Sequence, residues 1–311
     1  MFAPLVSLIP IYLLILLGYV AIRSGLIDPA GLPHISRFAL YICIPVVVAS
    51  AVSRVGGTSQ FNPQFIAGYA LASFLVMLAA ALVLRRLFGM GPGAAWVLGL
   101  GAGASNSMFL GLPIALILIP DLVDTLIVHV VVTENIFGIP VAVTIADVVA
   151  RTRRLSTAEA IRDTLRRMAV NPALLGLVAG LICAASGLPL PAPLETTRTL
   201  MIAAAPVLAL FVVGGTVAGA RMTEIGGPVF LVAFGKLVVH PAVVYAVLMI
   251  LPGVPSELAV GGLIFACVPM LSIYTIFAAR HGAERIAASA MGVTTLAGAI
   301  TVGAVVMLLH G

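Results

Sequence analysis

The sequence predicts an all-α polytopic membrane protein: ten transmembrane helices in two inverted five-helix repeats. Three observations carry that prediction. The composition is too apolar for water, the apolar stretches number ten, and the chain repeats with an odd number of them in each half. Of the 311 residues, 62% are hydrophobic and 9% charged, and the mean hydropathy is +1.22. A soluble domain holds about 45–50% apolar and about 25% charged residues. A water-soluble fold of this length would have to expose much of the excess. That composition rules out soluble enzymes, nucleic-acid binders and disordered chains as classes.

The elements follow from punctuation. A helix needs roughly 20 apolar residues to cross a bilayer. Cutting at charges, Gly/Pro clusters and Asn-Pro gives spans near 4–22, 34–53, 62–84, 94–118, 124–149, 172–187, 197–219, 228–250, 258–279 and 286–309. No short alternating segments of the β-barrel kind appear. Met1-Phe2-Ala3-Pro4 carries no basic n-region, so the first span reads as retained rather than cleaved.

Of the 16 basic residues, 13 fall at the connections after spans one, three, five, seven and nine. Arg54 and Arg198 are on the other side, and Lys236, the sole lysine, is inside span eight. Positive-inside bias then predicts a multi-pass protein with both termini outside and the central loop in the cytoplasm. The pI near 9.5 comes from this asymmetry and requires no nucleic-acid partner. Cys43, Cys183 and Cys267 are in apolar spans without a CxxC pair, so free packing thiols are expected, with neither disulfide nor metal.

The central loop divides the chain into a first repeat (1–150), a linker (151–170) and a second repeat (171–311). Pro45 recurs as Pro206, Thr133 as Thr294 and Ile139 as Ile300, each 161 positions on, and Gly99 recurs as Gly262 after 163. Repeats of five spans must insert in opposite orientations, and inverted repeats characterise secondary transporters. A duplication kept only for packing is the alternative. In the linker, Ser156 and Glu159 fit a capping box, and Ala158, Ile161, Leu165 and Met168 recur at helical spacing. An interfacial helix bridging the halves is expected there.

Span four carries Gly99, Gly101, Gly103, Ser105, Asn106, Ser107, Gly111 and Pro113. Glycines ease unwinding, and Pro113 lacks a donor, so a continuous helix is poorly supported. Its counterpart, span nine, has Pro269 ahead of Ser272 and Tyr274. Paired interrupted spans point to a transporter's binding site, where half-helix N-termini face anions and freed carbonyls hold cations. Close packing of small residues is the competing explanation.

Ionisable groups inside spans are functional candidates by default. Glu134, between Thr133 and Asn135 in span five, is suited to carry a proton. Lys236 and His240, spaced i, i+4 on span eight, share a face and offer a cation and an exchangeable proton to a carboxylate substrate. Pro241 is expected to loosen that helix one turn earlier. His129, five residues before Glu134, fits no zinc spacing. Asp147 is expected to snorkel or pair with Arg151, and Asp121, Asp124, Glu195 and Glu257 to be solvated loop charges. Trp96 reads as an interfacial anchor.

The segments Leu40–Pro45, Ala104–Pro113 and Ala205–Gly215, with Asn106, Phe109, Gly111 and Pro113 in an N-x-x-F-x-G-x-P-like pattern, resemble the auxin efflux carrier family in its short bacterial branch. The likeness covers essentially the whole chain. It implies ten helices with crossed, broken helices four and nine, the fold of bile-acid and sodium/proton transporters. It also implies carriage of organic acids such as auxins, malate or malonate by a homodimer in a bacterial inner (plasma) membrane. Ser105-Asn106 looks like the polar pair of the bile-acid carriers' sodium site, but the carboxylate those carriers have in span nine is missing between Leu258 and Ala279. Plant members keep an acidic–basic pair in span three; here span three has no charge before Arg85, and Lys236 is on the equivalent helix of the other repeat.

The expected protein is a secondary carrier of small organic anions, proton- or sodium-coupled and without a bound cofactor. Substrate is expected at Ser105, Asn106, Ser107 and Pro113, at Asn135, Lys236 and His240, and at Pro269, Ser272 and Tyr274. Ion coupling is assigned to Thr133, Glu134, His240 and Asn106. The alternatives are a sodium symporter of bile-acid-carrier type, a channel or receptor, and an intramembrane hydrolase using His129, Glu134 and His240.

Overall fold

The computed structural model describes residues 6–56, 61–150, 157–220, 222–271 and 273–310. Among these residues the chain is helical, with no strand beyond one isolated bridge. In chain order the helices are α1 (Ile9–Arg23), α2 (Pro29–Arg54), α3 (Pro63–Phe88), α4 (Pro92–Gly103), α5 (Ser107–Leu118), α6 (Pro120–Ala150) and α7 (Thr157–Ala169). They continue as α8 (Pro172–Ser186), α9 (Ala192–Gly219), α10 (Gly227–Ile250), α11 (Ser256–Cys267), α12 (Tyr274–Ala279) and α13 (Glu284–His310).

Six of these, α2, α3, α6, α9, α10 and α13, are long and apolar enough to cross a bilayer. Taking α7 with α8 across a 59° bend makes a seventh. The gap from the expected ten has a plain cause. Segments 94–118 and 258–279 are each broken into pieces too short to span alone, and α1 has 15 residues. The expected linker helix is present as α7, although Ser156 of its capping box is outside the described residues.

Helix ends obey local chemistry. Asn62 and Asn171 cap α3 and α8 by accepting from backbone amides of the first turn, and a proline follows each. Gly89 and Gly187 close the same helices with left-handed φ of 62° and 61°.

Inside the helices the prolines leave a consistent mark. Turns of π-helix at Ala39–Cys43, Ser107–Gly111, Thr133–Gly138 and Gly235–Val239 each end two residues before a proline: Pro45, Pro113, Pro140 and Pro241. A proline ring clashes with the carbonyl four residues earlier, and a widened turn relieves that clash without ending the helix. The expected loosening before Pro241 is thus a π turn. Pro206, inside α9, is accommodated without one.

Packing relies on backbone approach. A Cβ on Gly18 would sit 2.1 Å from the Phe211 carbonyl oxygen, and one on Gly214 would sit 1.8 Å from that of Ile15, so α1 and α9 touch main chain to main chain. α2 packs on α8, α3 on α4 and α10, α4 on α6, and α10 on α11. Large apolar side chains left outward on several helices, Leu16, Leu75, Ile182, Leu200 and Ile300 among them, give the molecule a lipid-compatible exterior.

Several charges sit differently from expectation. Asp124 is not a solitary loop charge: Arg54 grips it through two bonds of 2.5 and 2.6 Å. Glu195 pairs with Arg198, one turn along α9. Asp147 meets His281 at 3.3 Å, while Arg151 is outside the described residues. Trp96 is not an interfacial anchor; it is buried in the core against Phe74. All three cysteines are free, Cys43 and Cys267 buried and Cys183 exposed.

Candidate functional site

α4 stops at Gly103 and the chain runs extended through Ala104 before α5 restarts at Ser107. α11 stops at Cys267 and Val268 is likewise extended. The two gaps meet: Ser105 and Met270 form an antiparallel bridge, and the Asn106 amide donates to the Pro269 carbonyl at 2.8 Å. Glycine is needed for this approach. A Cβ on Gly103 would come within 2.7 Å of the Ser73 carbonyl oxygen, and one on Gly101 within 2.7 Å of the Tyr274 ring.

Buried polar side chains collect around the crossing. Lys236, on the π turn of α10, is fully enclosed. Its ammonium nitrogen lies 2.8 Å from each of three partners: Ser105 Oγ, the Ala266 carbonyl oxygen and His240 Nδ1. An ammonium has three N–H groups, so the set fills it. His240 Nδ1 is also 3.3 Å from the Ala266 carbonyl oxygen, and its Nε2 lies 2.9 Å from Ser73 Oγ, so which ring nitrogen donates follows from the tautomer. Ala266 belongs to the last turn of α11, whose carbonyls lack intrahelical partners and whose dipole favours a cation.

The acid is on the other side of Ser105. Glu134, on the π turn of α6, accepts from Ser107 Oγ at 2.7 Å and lies beside Ser105. Ser107 opens α5, so the positive end of a half-helix meets the carboxyl, as the negative end of α11 meets the ammonium. Tyr69 brings its hydroxyl close to Ser105 and Glu134 but makes no hydrogen bond of good geometry. A continuous chain of contacts therefore runs Ser73, His240, Lys236, Ser105, Glu134, Ser107, drawn from α3, α10, α6 and α5 and from the gap between α4 and α5.

The remaining expected residues are distributed as follows. Thr133 Oγ1 bonds back to the His129 carbonyl. Asn135 points elsewhere, donating to the Val131 carbonyl and accepting from Asn171 at the start of α8. Pro113 is buried in α5, and Tyr274 is buried with its hydroxyl on the Ala287 carbonyl. Ser272 lies outside the described residues. His129 accepts from the Asn62 amide and bonds the Thr125 carbonyl, with no bond to Glu134 or His240. Among the described residues no group of three His, Cys, Asp or Glu could hold a metal ion.

Asn106 is half-buried. It lines a small pocket with Val213 and Thr216 of α9 and Met291, Gly292 and Thr295 of α13. Both threonine hydroxyls donate to carbonyls four residues back, so their oxygens meet the pocket as acceptors. Sequence reading missed these threonines, and it missed Ser73 and Tyr69 on α3, which has no charge before Arg85. For Ser73 a signal existed: it precedes Lys236 by 163 positions, the separation of Gly99 and Gly262.

A helical chain with several bilayer-length helices, broken helices that cross and a buried acid–base chain at the crossing has the form of a membrane transporter. The family described as "Membrane transport protein" matches residues 4–306, nearly the whole chain, and this protein belongs to it, the family of the auxin efflux carriers. It is also 24% identical over 309 residues to a protein of Rhizobium meliloti (strain 1021) named "Putative malonate transporter", covering 97% of this chain and 94% of that one.

Proposed function

We propose that the protein is a secondary carrier that moves small organic anions, malonate- or malate-like dicarboxylates or auxin-like acids, across a bacterial inner membrane by alternating access. The observation that carries this reading is the crossing itself, where the Asn106 amide bonds the Pro269 carbonyl beside a fully enclosed Lys236. Those two residues are 163 apart, the separation of Gly99 and Gly262, as a two-fold axis through the crossing would require. Reciprocal packing of α1 on α9 and α2 on α8, and of α3 on α4 and α10 on α11, speaks for the same symmetry. The reading counts ten spans in two inverted halves, with α1, the α4–α5 pair, α8 and the α11–α12 pair completing the six long helices. Both termini are then outside, and the assembly is a homodimer.

The substrate path runs by the Asn106 pocket, which is water-sized in this conformation and has to widen for a carboxylate to meet the side-chain amide and for the Thr216 and Thr295 oxygens to accept from hydroxyl or acid protons. Proton coupling is favoured over sodium because the Lys236 ammonium already uses the oxygens a cation would seek, Ser105 Oγ and the Ala266 carbonyl. Glu134 and His240, bonded at opposite ends of the chain, are the proton carriers.

The test is counterflow in proteoliposomes with radiolabelled malonate, malate and indole-3-acetate. Saturable exchange of at least one acid, stimulated by a pH gradient and indifferent to sodium, is expected. Absence of exchange with every carboxylate would overturn the carrier reading, and strict sodium dependence would move it to the bile-acid type.

A further inference from the structure

We infer that α7 is a seat for anionic phospholipid: it lies on the headgroup layer with Ile161 and Leu165 in the acyl region and Arg162, Arg166 and Arg167 on the phosphates. This rests on the membrane orientation proposed above but not on transport.

Three independent observations carry it. First, α7 departs from the axis of α8 by 59° at the Val170–Asn171 break, so it does not continue that helix across the bilayer. Second, the helix has two unlike sides. Ile161 and Leu165 are 49% and 58% exposed, which no packing within the chain explains. Arg162 and Arg166 flank that pair and Arg167 is opposite it, all three exposed, and the two acids, Glu159 and Asp163, are already engaged in interactions. Such a pattern suits an interfacial helix on an anionic surface. Third, the helix is held in place. Thr164 Oγ1 lies 2.6 Å from Thr144 Oγ1 in α6, which ties α7 to a membrane-spanning helix with Ile161 about 60° around the helix from that contact. The exposed Val148 of α6 and Val170 and Leu175 beside the bend extend the same apolar exterior on either side. A lipid surface is the occupant that matches a half-exposed apolar strip edged by cations and continuous with lipid-facing helices.

Site-directed spin labelling tests the seat in the intact protein. With exposed Cys183 replaced by serine, single labels at positions 161, 162, 165 and 166 are placed in phosphatidylcholine vesicles with and without about one-third phosphatidylglycerol. Labels at 161 and 165 are expected to relax with oxygen more than with a water-soluble nickel complex, and labels at 162 and 166 the reverse. Separately, phosphatidylglycerol is expected to raise the unfolding midpoint, and R162Q/R166Q/R167Q to remove more than about half of that rise. Equal nickel access at all four positions would overturn the seat and point to a protein partner or bare water. A full lipid response in the triple variant would overturn its preference for anionic lipid. Failed counterflow with the labelling pattern intact would sink the carrier reading and leave the lipid seat standing.

Discussion

Lys236 and Ser105 are joined by a 2.8 Å bond from ammonium to hydroxyl, and Ser107, two residues on, donates its hydroxyl to Glu134 at 2.7 Å. Two serines of the same broken helix thus touch the buried base and the buried acid. Movement of the crossing strand therefore acts on both ionisable groups together.

Replacing Lys236 with methionine keeps an unbranched stem but takes the ammonium from Ser105 Oγ, the Ala266 carbonyl and His240 Nδ1, leaving the last two, 3.3 Å apart, only each other. Removing one partner of a buried charged set costs about 3–5 kcal/mol. Counterflow should fall by about 100-fold, equal to about 2.7 kcal/mol of lost interaction, with a lower unfolding midpoint in detergent. A Lys236→Met protein that exchanges anions at the normal rate would reduce the lysine to packing.

Glu134→Gln retains an acceptor for Ser107 Oγ while removing the titrating group. Exchange between equal pools should persist, because it needs no net proton movement. Accumulation driven by an imposed pH gradient should vanish. If accumulation survives in this variant, the proton travels with His240 instead.

Thr216→Val removes one pocket oxygen with little change in volume, and Asn106→Ala removes the amide. Each should raise the half-saturating substrate concentration by about 10-fold, the loss of one hydrogen bond of about 1.4 kcal/mol. The unfolding midpoint should move little for Thr216→Val. An unchanged half-saturation in both variants would remove the pocket from the substrate path.

Gly214→Leu would push a side chain into the Ile15 carbonyl, where even a Cβ would be 1.8 Å away. Overpacking of this kind costs about 1–3 kcal/mol or more. The measurable outcome is a lower unfolding midpoint, with Gly219→Ala, which meets open space, as the neutral control.

Much of the fold was legible because it depends on composition. Apolar length and punctuation located all six long helices, and Gly-rich, Pro-bearing stretches located both breaks. The candidate site was legible only where a residue was chemically conspicuous. Glu134, Lys236 and His240 stand out in a hydrophobic chain, and the structure does bring them to one place. Ser73 and Tyr69 do not stand out, because serine and tyrosine are ordinary in membrane helices, and the Ala266 carbonyl has no side-chain signature at all. The enclosure of Lys236 also could not be read, since spacing gives a face of a helix but not what covers it. Trp96 shows the same limit: interfacial aromatics and core aromatics look alike in a sequence.

The four π turns bear on how such a molecule shifts its shape. Each stores one surplus residue, and passing that residue along the helix would rotate the neighbouring stretch by about 100° and slide it by about 1.5 Å with every turn still wound. Glu134 and Lys236 both ride on such slack, at Thr133–Gly138 and Gly235–Val239. The acid and the base are thus mounted on the adjustable joints of otherwise stiff rods, where a change of charge has the least backbone to disturb.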